Sequence, residues 1–142
     1  MTSQNNFQVR VGIGIMVFKN GKVLLSKRKG SHGAGEYASP GGHLEFGESF
    51  TECAKRECRE EAGIEIKNVR FLRLSNLKQY AGKHYLDIGL VADWKSGNPK
   101  VLEPEKAESW DWYHLDKLPK PLFETVKTFL EALNSGKNFF DS

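Results

Sequence analysis

The stretch from Ser49 to Gly63, SFTECAKRECREEAG, carries its own start and stop signals and fixes one element before any other. Ser49 with Glu52 three residues later forms a capping box, in which each side chain takes up a backbone N–H that the first turn leaves free. Gly63 supplies the left-handed residue that commonly ends a helix. The spacing predicts a helix over 50–62. At about 100° per residue, Phe50, Cys53, Ala54, Cys58 and Ala62 fall on one apolar arc. Glu57 and Glu61 lie within about 20° of Phe50, inside that arc. Glu60 sits at its edge, and Glu52, Lys55 and Arg59 point away. A solvated acidic run would place its glutamates on the outer face, whereas this helix turns two of them, one turn apart, toward the core.

Two such carboxylates repel each other: unit charges about 4 Å apart cost about 4 kcal/mol at an effective dielectric of about 20. Arg56 offsets part of the charge, but one guanidinium does not balance Glu48, Glu57, Glu60 and Glu61. A hard divalent cation does, and Mg²⁺ characteristically combines a few carboxylates with water and substrate phosphates. Helix geometry therefore favours a metal site over a purely structural ion pair.

Other elements follow from periodicity. Val9, Val11, Ile13, Ile15 and Val17 alternate as in a strand, and Asn20-Gly21 before KVLLSKR predicts a hairpin with a tight primed turn. KGSHGAGEYASPGG reads as an irregular loop. Residues 69–74, 84–94 and 109–115 read as strands. A closing helix is expected to start at Pro121, to carry Phe123, Val126, Phe129, Leu130 and Leu133 on one face, and to stop at Gly136.

Gly42, Glu48 and the run REC-REEAGI from Arg56 to Ile64 resemble the Nudix box, G-x5-E-x7-R-E-U-x-E-E-x-G-U with U aliphatic. Every fixed letter is present; at roughly one in fifteen per letter, such a coincidence arises about once in 10⁸ windows. Cys58 departs at the first U, where a small apolar residue keeps the packing role. KRKGSHGAGEYASPGGHLEFGES and LEPEKAESWDWYHLDKLPKPLF extend the likeness to the MutT-like branch of nucleotide triphosphate diphosphatases and dihydroneopterin triphosphate pyrophosphohydrolases. The resemblance implies an α/β fold, a Nudix α/β/α sandwich with a central mixed β-sheet, filling 1–142 as one domain with the box at 42–64.

It further implies that Glu57 and Glu61 are the principal metal ligands and that Glu60 is a further ligand or water-orienting base. The Gly42 carbonyl would be an added donor, Arg56 would orient the glutamates, and Glu48 would brace the loop before the helix. Glu108 is the candidate outlying metal ligand, with Glu103 and Glu105 competing in EPEKAES. Arg28, Gly41, His43, Leu118 and Phe123 are candidate substrate contacts. The implied cofactor is Mg²⁺, with Mn²⁺ as a substitute. The implied reaction is hydrolysis of a nucleoside triphosphate to the monophosphate and pyrophosphate. Alternatives are dihydroneopterin triphosphate, a nucleoside diphosphate linked to another group, or a nucleotide-sensing domain without turnover.

Net charge of +3, with only Lys27–Lys29 clustered, gives no dense basic face, so a small-molecule substrate is expected and no nucleic-acid partner. The N-terminal letters show no targeting pattern and no stretch is long enough to span a membrane, so a cytoplasmic protein without membrane partner is expected. Cys53 and Cys58 are expected as reduced core residues. Trp110 and Trp112 read first as core. His32, His84 and His114 lack zinc-ligand spacing and read as ordinary histidines. Gly30, Gly33 and Gly35 lack the residues of a phosphate loop and read as a flexible cover over substrate. Pairing into a homodimer is a further family implication.

Overall fold

A computed structural model describes residues 7–30, 32–80 and 82–141. Its elements are β1 (Val9–Lys19), β2 (Lys22–Arg28), β3 (Tyr37–Ala38), β4 (Gly41–His43), α1 (Phe50–Ala62), β5 (Glu65–Tyr80), β6 (Lys83–Ser96), β7 (Ala107–His114), α2 (Glu124–Ser135) and β8 (Phe139–Phe140). The sheet runs β3-β2-β1-β6-β5-β8, with β4 also on β1 and β7 also on β2. β1 lies parallel to β6 and β5 parallel to β8, and the other pairings are antiparallel, so the sheet is mixed.

Alternation along β1 sorts the two cores. Ile13, Ile15 and Val17 face Cys53, Ala54, Cys58 and Ala62 of α1. Met16 belongs to the other face, with Phe123, Val126 and Phe129 around α2. The result is the helix/sheet/helix sandwich that the resemblance implies. Because β1 is a central strand covered on both faces, Ile15, Met16 and Val17 are all buried, where alternation alone suggests one buried face. Among the described residues, no helix is long and apolar enough to cross a membrane.

Several local expectations hold in detail. Asn20 and Gly21 both have positive φ (51° and 77°), as a primed hairpin turn requires. The Ser49/Glu52 capping box is present, and Gly63 ends α1 in the left-handed conformation. Both cysteines are free and buried.

Other expectations are corrected. The glycine-rich segment read as loop contains β3 and β4, because β1 and β2 pair only beside their turn, at Phe18↔Val23 and Lys19↔Lys22, and then part. Into that splay step β3, paired with β2, and β4, paired with β1 at Gly12–Gly14. A side chain on Gly41 would come within 2.5 Å of the Ile13 carbonyl, so the close pairing depends on its absence. The strand expected at 69–74 is far longer, interrupted by bulges against β6. The last helix starts after Phe123 instead of at Pro121, since the Pro121 carbonyl and the Phe123 N–H are both bonded to Tyr37. Leu133 is 38% exposed, and Ala132 takes its place in the core.

Candidate active site

Glu48, Glu57 and Glu60 of the box gather around one guanidinium, while Glu61 is held from the Gly41 N–H. Arg56 Nε donates to Glu48 Oε2 at 2.6 Å and Nη2 to Glu48 Oε1 at 3.0 Å, a bidentate pair. Its Nη1 donates to Glu57 Oε1 at 2.6 Å and to Glu60 Oε1 at 3.1 Å, and Nη2 also reaches the His43 carbonyl at 3.1 Å. Glu48 Oε1 in turn accepts from the Glu45 N–H at 3.0 Å and braces the loop before α1. The Arg56 hydrogen bonds hold the Glu48 carboxyl down at about 2.

Glu57 and Glu61 sit deeper. Glu57 is 9% exposed, and burial raises its carboxyl against the opposing pull of Arg56. Burial pushes Glu61 up to about 8, with Glu57 and Glu103 adding and a hydrogen bond from the Gly41 N–H to Glu61 Oε1 (3.0 Å) opposing. The Glu57 carboxylate lies so close to the Gly42 Cα that any side chain there would overlap it. Two desolvated carboxylates against a bare backbone suit a hard cation. Among the described residues no three His, Cys, Asp or Glu side chains form a closed cage, so such an ion would complete its shell with backbone, water or substrate oxygen.

A cleft of about 560 Å³ opens in the splay between β1 and β2. It brings together Gly41, Gly42, Glu61, Arg28, His43 and Phe123. Arg28 stacks its guanidinium 4.1 Å from the Phe123 ring centroid and donates from Nε to the His32 carbonyl at 3.1 Å. Of the Lys27–Lys29 cluster, Arg28 and Lys29 line this cleft. His43 stacks on Tyr85, with Nε2 and the phenol oxygen 2.8 Å apart. The Gly41 N–H is committed to Glu61 and so positions that carboxylate. Trp110 lines the cleft while packing in the core beside Trp112.

Two readings change. Leu118 is outside the cleft lining and packs with the Met16–Val23 core, because the chain turns inward before Phe123. Glu108 is exposed at the bulged start of β7, while Glu103 and Glu105 line the cleft. Glu103 Oε1 is buried without a hydrogen bond, its nearest cation being Lys106 Nζ at 3.7 Å. His32, exposed, stands at the cleft, where its ring meets Tyr80 edge-on at 4.8 Å and Phe123 at 5.8 Å. The sequence reading missed Tyr80, Lys83, Tyr85 and Asp87. Their only signal was position near the β5–β6 hairpin, which acquires meaning once β6 is known to lie beside β1.

The NUDIX domain profile matches residues 8–133. A solved MutT NUDIX hydrolase from Burkholderia pseudomallei superposes with a TM-score of 0.83 at 34% identity, covering 89% of this chain and 98% of that one. Two curated relatives named NAD-capped RNA hydrolase NudC, from Stutzerimonas stutzeri (strain A1501) and Mannheimia succiniciproducens, are 31% and 32% identical over 84% of the chain. The chain spans 42% and 45% of those relatives' own lengths. Profile, a structural match over most of both chains and the glutamate helix at the cleft agree that the chain belongs to the Nudix hydrolase family.

Proposed function

We propose that this protein is a Mg²⁺-dependent pyrophosphohydrolase that splits a nucleoside triphosphate into the monophosphate and pyrophosphate. The observation that carries this reading is the pair of desolvated carboxylates, Glu57 and Glu61, set against Gly41–Gly42 beside a cleft bearing Arg28, Lys83 and Lys106. Glu57 and Glu61 would hold the cation, with the Gly42 carbonyl as an added donor. When bound, it supplies an activated water and neutralises charge building on the phosphoryl oxygens. Glu60, exposed but sharing Arg56 Nη1 with Glu57, is placed to orient water or take its proton. Arg56 is a positioning residue, and Glu48 fixes Arg56. Glu103 is a better candidate than Glu108 for the outlying acid, because its buried oxygen lacks a hydrogen bond. In the reaction, water attacks the α- or β-phosphorus, Glu60 takes its proton, and the bridging P–O bond between them breaks, giving the monophosphate and pyrophosphate.

The names of the curated relatives favour a second reading, a nucleoside diphosphate linked to another group, with an RNA-borne cap as one form. One panel separates them. Nucleoside triphosphates, dihydroneopterin triphosphate, NADH and NAD-capped RNA are incubated with Mg²⁺ and the products resolved by chromatography. Pyrophosphate release from triphosphates supports the first reading, and cleavage confined to the dinucleotides supports the second. Nucleotide binding with no turnover on any of them would mark a sensing domain.

A further inference from the structure

The proposed chemistry leaves one buried pair in the cleft without a role. Arg73 on β5 is fully buried, with Nη2 2.8 Å from Asp87 Oδ2. It is locked in place: Nη1 donates to the Asp87 carbonyl and Nη2 to the Thr125 carbonyl, each at 3.0 Å, and the guanidinium lies 4.4 Å from the Phe129 ring centroid. Asp87 on β6 is 8% exposed and lines the cleft. Oδ2 has no well-aligned hydrogen bond despite its ion pair. Oδ1 borders Gly12 across the β1–β6 pairing, where a side chain would come within 3.1 Å of it, so glycine keeps the approach open. Oδ2 is sealed against Arg73, so the acceptor capacity on the side facing the cleft is that of Oδ1.

A buried ion pair is often no more stabilising than apolar side chains of the same volume, so its presence beneath a binding cleft calls for a use. An anionic carboxylate disfavours a phosphate beside it and suits donors. Around it the wall is aromatic: Tyr80 meets Tyr85 at 5.4 Å and Phe123 at 5.9 Å, both edge-on. Such a wall takes a flat ring, and the fixed acceptor reads the ring's edge.

We propose that Asp87 is a specificity-determining residue that accepts hydrogen bonds from the adjacent N–H groups of a planar heterocycle, the 2-amino-4-oxo edge that guanine and pterin share. The inference rests on the nucleotide reading above and adds which ring is selected. Adenine is disfavoured, because it presents a ring nitrogen lone pair beside its amino group. Arg73 acts through Asp87 as a positioning residue.

The test compares kcat/KM with Mg²⁺ for dGTP, dITP, dATP and dihydroneopterin triphosphate; dITP lacks only the 2-amino group. The wild type is expected to favour dGTP over dITP by about tenfold or more, since a site built for an N–H donor rejects the analogue without it. The rate on the pterin substrate relative to dGTP tells which ring the wall fits. In Asp87→Asn the dGTP/dITP ratio is expected to fall toward one. Should that variant not fold, Arg73→Met/Asp87→Leu removes both charges together and is expected to give the same collapse. Equal rates on dGTP and dITP in the wild type, or an unchanged ratio in a folded variant, would overturn the proposal. If no triphosphate is hydrolysed, the proposed function is what fails. Calorimetric titration of the wild type with dGMP and dIMP then decides the role of Asp87, and equal affinities overturn it.

Discussion

Arg56 and Arg73 each gather carboxylates, on opposite faces of one sheet and in opposite ways. Arg56 stands on α1, about a fifth exposed, and shares itself among Glu48, Glu57 and Glu60. Arg73 lies on the α2 side of the sheet with no exposure, and among the described residues Asp87 is its one carboxylate, with the Thr125 carbonyl as a further acceptor. The first cluster holds more negative charge than its arginine can neutralise, so it is built to take a further cation. The second is balanced one to one and sealed by Phe129, so it is built to hold a single acceptor still. Surplus charge signals binding of an ion, while balanced charge at a cleft floor signals a fixed recognition group.

The largest expected effect tests the first cluster. Glu57→Gln or Glu61→Gln should cut Mg²⁺-dependent turnover by about 10³-fold with the circular dichroism spectrum retained; rates near wild type in either would remove that residue from the metal site. Next, urea unfolding should separate the arginines. Arg73→Met strands a buried carboxylate beneath a fully buried arginine and is expected to cost about 3–5 kcal/mol. Arg56→Met removes a guanidinium that is itself partly exposed and leaves Glu60 in water though Glu57 buried, and is expected to cost less, about 1–3 kcal/mol. Similar losses would erase the contrast between a sealed and an open cluster.

A pH titration sharpens the same contrast. Burial lifts Glu61 from an ordinary 4.5 to about 8, so the native state holds that proton more tightly than the unfolded chain. Its contribution is present below pH 4.5 and lost as pH rises toward 8, so metal-free stability should decline across that window. Glu48, held at about 2, has the opposite sign: its contribution is present above 4.5 and lost as pH falls through about 2. The rise in Tm on adding Mg²⁺ should therefore be greater at pH 8 than at pH 6, and Glu61→Gln should flatten the difference. The smallest effect concerns the outlying acid: Glu103→Gln should lower turnover about tenfold at fixed Mg²⁺ and Glu108→Gln should leave it unchanged, on the scale of one hydrogen-bonded charge. The reverse order would restore Glu108.

What was readable in the sequence follows the range of the interactions. The α1 cap, its left-handed stop and the inward glutamates depend on residues within a turn or two of one another, so their spacing declares them. The Asn20-Gly21 hairpin is equally local. Arg73 and Asp87, by contrast, meet only because β5 and β6 pair and α2 folds over them. Nothing within VRFLRL or HYLDIGLV tells which neighbours will cover either residue. β3 and β4 stayed hidden because glycine and serine carry no strand propensity, and only the opening between β1 and β2 gives those segments partners. Pro121 misled because a tertiary bond to Tyr37 outweighed a good helix-start signal. Leu118 and Glu108 lay near the right surface in sequence but not in space.

At Gly41 and Gly42 the helix α1 meets the cleft through main chain and carboxylate, while Ile13 and Trp110 line the same cleft and pack into the core beneath α1. A change of shape at either of those two side chains is therefore felt by the glutamate helix as well as by the guest, whereas the Tyr80–Tyr85 wall lies outside that shared core and can vary with less effect on it.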